Sequence, residues 1–260
     1  MKYQYVIACV DSPESATTVL TWAKYFAERL NHTEVMALHV AKDEGMLEWL
    51  TQLGVPYVHL QGEWRTAIAG LPTVFNGILA VTAVDSTAPR TSLTHPKTLL
   101  HEFKSCKIAY LCVDKHSKLN IQHSTLTLTH RREGKELLVW ASYLARFLGS
   151  NIQIAHPDYH DQDLRMRWRN NIRFAEKLFS PLGIRYSTFI IQHSSFFTPP
   201  DLAVLEEMNP DLLIARATDT RDRDFFDLLM PLPEWRLLTH PSHIPLLLLN
   251  PRDDLYILCD

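Results

Sequence analysis

The chain has 260 residues, 46% of them hydrophobic, with a formal net charge of −3 and a sequence pI near 6.5. That length suits two domains of ordinary size, each burying its own core. The faintly acidic balance offers no broad basic surface, which excludes nucleic acid as a general partner. No apolar run is long enough to span a bilayer, so no membrane insertion is expected. Cys9, Cys106, Cys112 and Cys259 are few and irregularly spaced. Cys9 and Cys112 sit inside apolar runs, where a reduced thiol serves as a small core residue. The first residues run straight into a strand without a signal-like series, and a cytoplasmic location is expected.

In chain order, Val6–Val10 form a continuous apolar run closed by Asp11-Ser12-Pro13. This pattern predicts a buried parallel strand followed by a helix, with Ser12 as N-cap and Pro13 in the first turn. Val19, Leu20, Trp22, Ala23, Phe26, Ala27 and Leu30 supply the apolar stripe of that helix. Strands are predicted at 34–41, 56–61, 77–81 and 108–113. Helices are predicted around 46–53, 63–74 and 96–104. A polar junction at 114–121 (DKHSKLNI) then separates the two halves.

The second half repeats the first. Residues 20–31 read LTWAKYFAERLN, and residues 138–149, 118 positions on, read LVWASYLARFLG. Leu20, Trp22, Ala23, Tyr25, Ala27 and Leu30 recur as Leu138, Trp140, Ala141, Tyr143, Ala145 and Leu148. Six identities in twelve, aromatics among them, mark a duplicated strand–helix–strand unit. Strands are predicted at 122–130, 151–156, 185–192, 211–216 and 244–249. Helices are predicted at about 133–148, 163–181, 200–208 and 223–239. A second apparent repeat, LTHP at 93–96 and 238–241, has an offset of 145 and is read as coincidence. Two α/β domains follow, at 1–116 and 120–260, each a doubly wound parallel sheet covered on both faces. Ligands of such sheets lie beyond the carboxyl ends of the strands, which directs attention to the residues just past each strand.

The segment VIACVDSPESATTVLTWAKYFAERL resembles the opening of a universal stress protein domain. LHV closing the second strand, DLLIARATD in the second half and the ending RLLTHPSHIPLLLLNPR are similar to further parts of that family. The resemblance covers nearly the whole chain as two copies. It implies two five-stranded sheets of the adenine nucleotide alpha hydrolase-like kind, with strand order third, second, first, fourth, fifth. It also implies an internal pseudo-dimer, Ile108–Val113 against Ile244–Leu249, because isolated domains of the family dimerise through the last strand and both runs are apolar edges.

Members of that family that bind ATP carry a loop after the fourth strand patterned Gly-x2-Gly-x9-Gly-Ser/Thr, where glycines allow close backbone approach to phosphate. The equivalent loops here, 82–98 and 215–234, contain no glycine. Ala83 in the first half, and Arg216 or Ala217 in the second, stand near the place of the first loop glycine. Asp11 matches the family's acidic residue near the nucleotide, and Val40 the position whose backbone reads adenine. Thr129 replaces that acid in the second half. Asp11-Ser12 also reads simply as a helix-start cap. The expectation is a pair of degenerate nucleotide domains, with no cofactor and with ATP or AMP disfavoured.

Other constellations carry weaker signals. His130, His156 and His193 each fall at or just past a strand end of the second domain, where neutral imidazoles hold zinc or respond to pH. A polar rim with a solvated helix entry is the simpler account, since no tight ligand spacing accompanies them. Arg216, Arg221 and Arg223, with Arg131 and Arg132, offer guanidinium contacts to an anion. Asp219, Asp222 and Asp224 interleave with the first three and make a self-neutralising loop the simpler account. Along 163–179, Arg165, Arg167, Arg169 and Arg173 surround Trp168. Leu164, Trp168, Ile172, Ala175 and Phe179 form a core stripe that leaves those arginines in water. No Gly-x-Ser-x-Gly elbow, phosphate-binding Gly-Lys-Ser/Thr loop or zinc-protease motif is present. The function expected is a non-enzymatic stress-response regulator or scaffold with a protein partner, or a homodimer. The alternatives are a sensor of a nucleotide or metabolite in the first-domain cleft and a metal-linked sensor at the second-domain histidines.

Overall fold

A computed structural model describes residues 4–41, 45–52, 54–131, 134–192, 199–217 and 233–250. The chain divides into two compact units, Met1–Leu119 and Asn120–Pro251. In the first, β1 (Gln4–Cys9), β2 (Thr33–Val40), β3 (Tyr57–Leu60), β4 (Gly77–Ala83) and β5 (Ala109–Val113) alternate with α1 (Pro13–Ala27), α2 (Gly45–Gln52), α3 (Trp64–Ala69) and α4 (Pro96–Glu102). The strands lie in the order β3-β2-β1-β4-β5, with parallel pairings throughout.

The central place of β1 follows from its sequence. Val6, Ile7 and Ala8 have no exposed surface, as an unbroken apolar run covered on both faces requires. Ser12 caps α1 as expected. Its hydroxyl accepts from the Ser15 amide at 3.4 Å, and its own amide donates to the Ser15 hydroxyl at 3.3 Å. Trp22, Ala23 and Phe26 bury the α1 stripe. At Gly77 a Cβ would stand 2.9 Å from Ile7 Cγ1 and 3.0 Å from the Leu71 carbonyl oxygen, so only glycine lets β4 start this close to β1. Cys9 and Cys112 are buried core thiols. Burial pushes the Cys106 thiol up to about 12, which leaves it inert.

The second unit repeats the arrangement with β6 (His123–Thr127), β7 (Asn151–Pro157), β8 (Tyr186–Ile191), β9 (Leu212–Arg216) and β10 (Leu246–Leu249). Their order is β8-β7-β6-β9-β10, again parallel. The helices are α5 (Gly134–Tyr143), α6 (Gln162–Phe179), α7 (Pro200–Met208) and α8 (Pro233–Leu238). A widened π turn at Leu144–Leu148 ends α5 before Gly149, whose φ of 71° turns the chain into β7. The stripe of α6 is shorter than its sequence suggests. Ala175 and Phe179 are buried, Leu164, Trp168 and Ile172 are half-buried, and Asn171 takes a core position. The four arginines among them face solvent. The two LTHP segments differ structurally, since His95 caps the start of α4 while Leu238 ends α8. No described helix is long and apolar enough to cross a membrane.

Candidate functional site

In the first unit, Asp11 follows β1 directly and reaches across the carboxyl end of the sheet. One carboxylate oxygen accepts from the Trp64 indole N–H at 3.3 Å. The other accepts from the Leu93 amide at 2.8 Å and from the Ser92 hydroxyl. The connection between β4 and α4 is thereby folded back over the strand ends. Several local bonds hold it there. Asp85 N–H donates to the Thr94 carbonyl at 2.9 Å, and the Thr94 amide donates to the Ser92 hydroxyl oxygen at 3.2 Å. The Asp85 carboxylate receives the Thr87 hydroxyl at 2.6 Å and its amide at 2.8 Å, which keep it below the usual carboxylate range.

Ala83 is buried at the end of β4, and Val40 at the end of β2. Both therefore stand at the same end of the sheet as Asp11, as the strand order requires. His39 reinforces this corner. Its Nδ1–H donates to the Val10 carbonyl at 2.8 Å, and its ring stacks on His59 with 5.4 Å between centroids. The cap reading of Asp11-Ser12 thus divides between the two residues. Ser12 caps the helix, and Asp11 binds the chain's own loop.

The corresponding end of the second unit contains a cavity of about 390 Å³, a volume within the range of small-molecule sites. It lies beyond β6, β7 and β9, and the first turns of α7 and α8 close it. Thr127, Thr129, His130, Asp201, Arg216 and Glu234 face it. Arg216 and His130, placed there by sequence, come together in this cavity. Asp201 and Glu234 were not singled out by sequence, because Asp201 reads as an ordinary acid in the first turn of a helix and Glu234 as one more charged residue within the helix expected at 223–239. First-turn acids normally sit in water near the positive end of the helix. Here Glu234 is only 3% exposed. Burial raises the Asp201 carboxyl from 3.8 to about 6, the Thr127 hydroxyl opposes that rise, the Glu234 charge adds to it, and Arg216 lowers it.

The loop between β6 and α5 is held by Asn171, whose side-chain amide donates to the Thr129 carbonyl at 2.9 Å and the Arg131 carbonyl at 2.8 Å. The Tyr159 hydroxyl receives the His130 amide at 3.1 Å. His156 is placed differently from His130. Its ring packs on Trp168 at 4.1 Å, and its Nδ1–H donates to the Pro157 carbonyl at 2.9 Å. His193, Arg132, Arg221, Arg223, Asp219, Asp222 and Asp224 lie outside the described residues, as does Cys259. Among the described residues no three His, Cys, Asp or Glu side chains form a group able to hold a metal ion.

No protein-family model matches the chain, and no curated protein matches it by sequence. Solved structures do match its fold. A universal stress protein from Archaeoglobus fulgidus DSM 4304 superposes with a TM-score of 0.66 at 14% identity, over 96% of this chain and 97% of that one. A putative universal stress protein from Pseudomonas aeruginosa UCBPP-PA14 gives 0.63 at 12% identity, over 98% and 95%. The cytoplasmic domain of a prokaryotic cation chloride cotransporter gives 0.59 at 13% identity, over 99% and 100%. The chain carries the tandem fold of universal stress proteins along nearly its whole length.

Proposed function

We propose that the protein is a non-enzymatic regulatory or scaffold protein of the stress-response type, working in the cytoplasm through a protein partner or as a homodimer. One observation carries this reading. The Asp11 carboxylate, which the resemblance assigns to the nucleotide, already accepts from Trp64, Ser92 and Leu93 of its own unit. A nucleotide entering that cleft has to break these bonds and find its phosphates no glycine cradle, since the 82–98 loop contains none. The cytoplasmic domain of a cotransporter among the similar structures gives a precedent for this fold as part of a larger machine. Packing of Ile108–Val113 against Ile244–Leu249 as an internal pseudo-dimer belongs to the same proposal. It rests on the apolar character of the two runs.

The test is thermal unfolding of the purified protein with and without millimolar ATP, AMP and magnesium, together with phosphate release from ATP. A ligand that binds only the folded state raises the melting temperature. An unchanged melting temperature and no phosphate release are expected. A nucleotide shift, or turnover, would sink the proposal. Zinc belongs in the same series, because a zinc shift abolished by His156→Ala would establish the metal-sensor reading instead.

A further inference from the structure

We infer that the outer edge of β8, with the basic flank of α6 above it, docks an extended acidic segment of a partner protein as an added strand. The inference deepens the protein-partner reading above and rests on it, by naming a surface and the chemistry that fits it. It starts from the sequence of α6. Arg165, Arg169, Arg173 and Lys177 recur at every fourth position, and no acid occurs between Asp163 and Glu176. Like charges so spaced repel along one side of a helix and lower its stability. All four are exposed, and none enters an ion pair among the described residues. Arg165 donates to the Tyr159 carbonyl at 2.9 and 2.7 Å, and Arg173 to the Asn170 side-chain oxygen at 3.4 Å. A line of cations that costs the helix stability and that no acid of the fold offsets suits an anionic partner.

The strand beneath supplies the second observation. Among the described residues β8 is the last strand of its sheet, paired only to β7. Its six residues, Tyr186–Ile191, include no charge, glycine or proline, so none of the usual devices blunts this edge. Ser187, Thr188, Phe189 and Ile190 are exposed, Phe189 by 40% and Ile190 by 49%. The contacts of α6 fix its orientation over this edge. Phe174 lies against Lys135 of α5, and Trp168 packs on His156 of β7. Helical spacing then puts Arg165 and Arg169 on the flank away from α5, above β8. The Tyr186 ring meets Phe179 of α6 at 5.5 Å, so Thr188 and Ile190 share that face and Phe189 takes the other.

A strand laid along β8 would therefore turn alternate side chains towards the arginines and the rest towards Phe189. The fitting partner alternates acidic and apolar residues. A second copy of the chain fits worse. Antiparallel pairing of two β8 edges about a two-fold axis sets both α6 helices on one face of the joined sheet, where the two lines of cations repel. A nucleic acid would engage the cations and leave the strand edge unused.

Fluorescence anisotropy on the full chain at pH 7.5 tests this with a labelled heptapeptide of alternating Glu and Val. The comparisons are the peptide with Lys for Glu, the peptide N-methylated throughout so that it cannot donate to a ladder, and a single-stranded oligonucleotide. The acidic peptide is expected to bind, more weakly as salt rises from about 50 to 500 mM. The Lys and N-methylated peptides should each bind at least about tenfold more weakly. Arg169→Glu combined with Arg173→Glu should weaken the acidic peptide by a similar factor, with the melting temperature of the variant unchanged or raised. Absence of binding at millimolar peptide overturns the inference. So does an affinity indifferent to N-methylation or to the double substitution, or an oligonucleotide that binds as well as the peptide. A dimer in sedimentation that Phe189→Glu dissolves assigns the edge to a second copy and overturns it too. Failure here leaves the nucleotide and zinc arms of the earlier test untouched, so loss of this surface and loss of the regulatory reading are separate results.

Discussion

The Asp11 carboxylate and the Leu93 backbone amide meet at 2.8 Å across 82 positions of sequence. This bond, with those from Ser92 and Trp64, joins the end of β1 to the connection that follows β4. Removing a carboxylate that accepts several N–H and O–H donors leaves those donors unpaired. Asp11→Ala is therefore expected to destabilise the first unit by about 2 kcal/mol, read from urea unfolding. Exchange of the Leu93 amide with deuterium should accelerate in the same variant. A neutral substitution with unchanged exchange would show that the loop is held by its local turns alone.

Asp201 predicts a pH dependence of the opposite sense to that of most carboxylates. Its folded-state value lies above the unfolded one, about 6 against 3.8, chiefly because of burial. The folded protein therefore binds the proton more tightly. This group's contribution to stability is greatest below the unfolded value, falls as pH rises towards 6, and is constant above that. The full difference amounts to roughly 3 kcal/mol. Asp201→Asn removes the charge at nearly constant shape. It should stabilise the protein at pH 8 by up to that amount, with the gain shrinking to about half at pH 5. Equal gains at the two pH values in chemical denaturation would refute a strained carboxylate. A cost of this kind, accepted at a cavity wall, is typical of binding sites.

How much was legible in the sequence differs between the two units. Strand and helix placement followed from the duplicated apolar runs, because burial on both faces leaves a parallel strand little choice of composition, while the strand order came from the family resemblance. Ser12 as a cap was equally readable, since the cap and its partner lie three residues apart. The partners of Asp11 were not, because Trp64 and Ser92 are 53 and 81 positions away. In the second unit the histidines drew attention while Asp201 and Glu234 did not. An acid in a first helical turn looks the same in sequence whether it faces water or a cavity. Only the packing of α7 and α8 around the strand ends turns these two inward.

Gly77 provides a test of the close approach of β4 to β1. An added Cβ meets backbone at Leu71 as well as the Ile7 side chain, so rotamer changes alone cannot relieve it. Gly77→Ala is expected to cost about 1–3 kcal/mol through overpacking. Gly134→Ala makes a useful contrast, because the atom it meets at 2.8 Å is Leu128 Cδ1, the far end of a side chain. A smaller loss is expected there. Equilibrium unfolding of both variants decides the matter, and a larger loss at Gly134 would contradict the assignment of strain to backbone.

Asn171 links stability to the wall of the second-unit cavity. It occupies a buried position on α6 where an apolar residue would satisfy the helix stripe, yet its amide donates to two carbonyls of the β6–α5 loop. That loop carries Thr129 and His130 to the cavity wall. Asn171→Leu preserves size and apolar packing while withdrawing both donors. If the residue served only to fill space, stability would be unchanged or improved. If it positions the loop, the variant should lose about 1–3 kcal/mol, and the backbone amides of that loop should exchange with deuterium faster. Loss of stability with loop exchange unchanged would confine Asn171 to the packing of α6 and separate it from the loop.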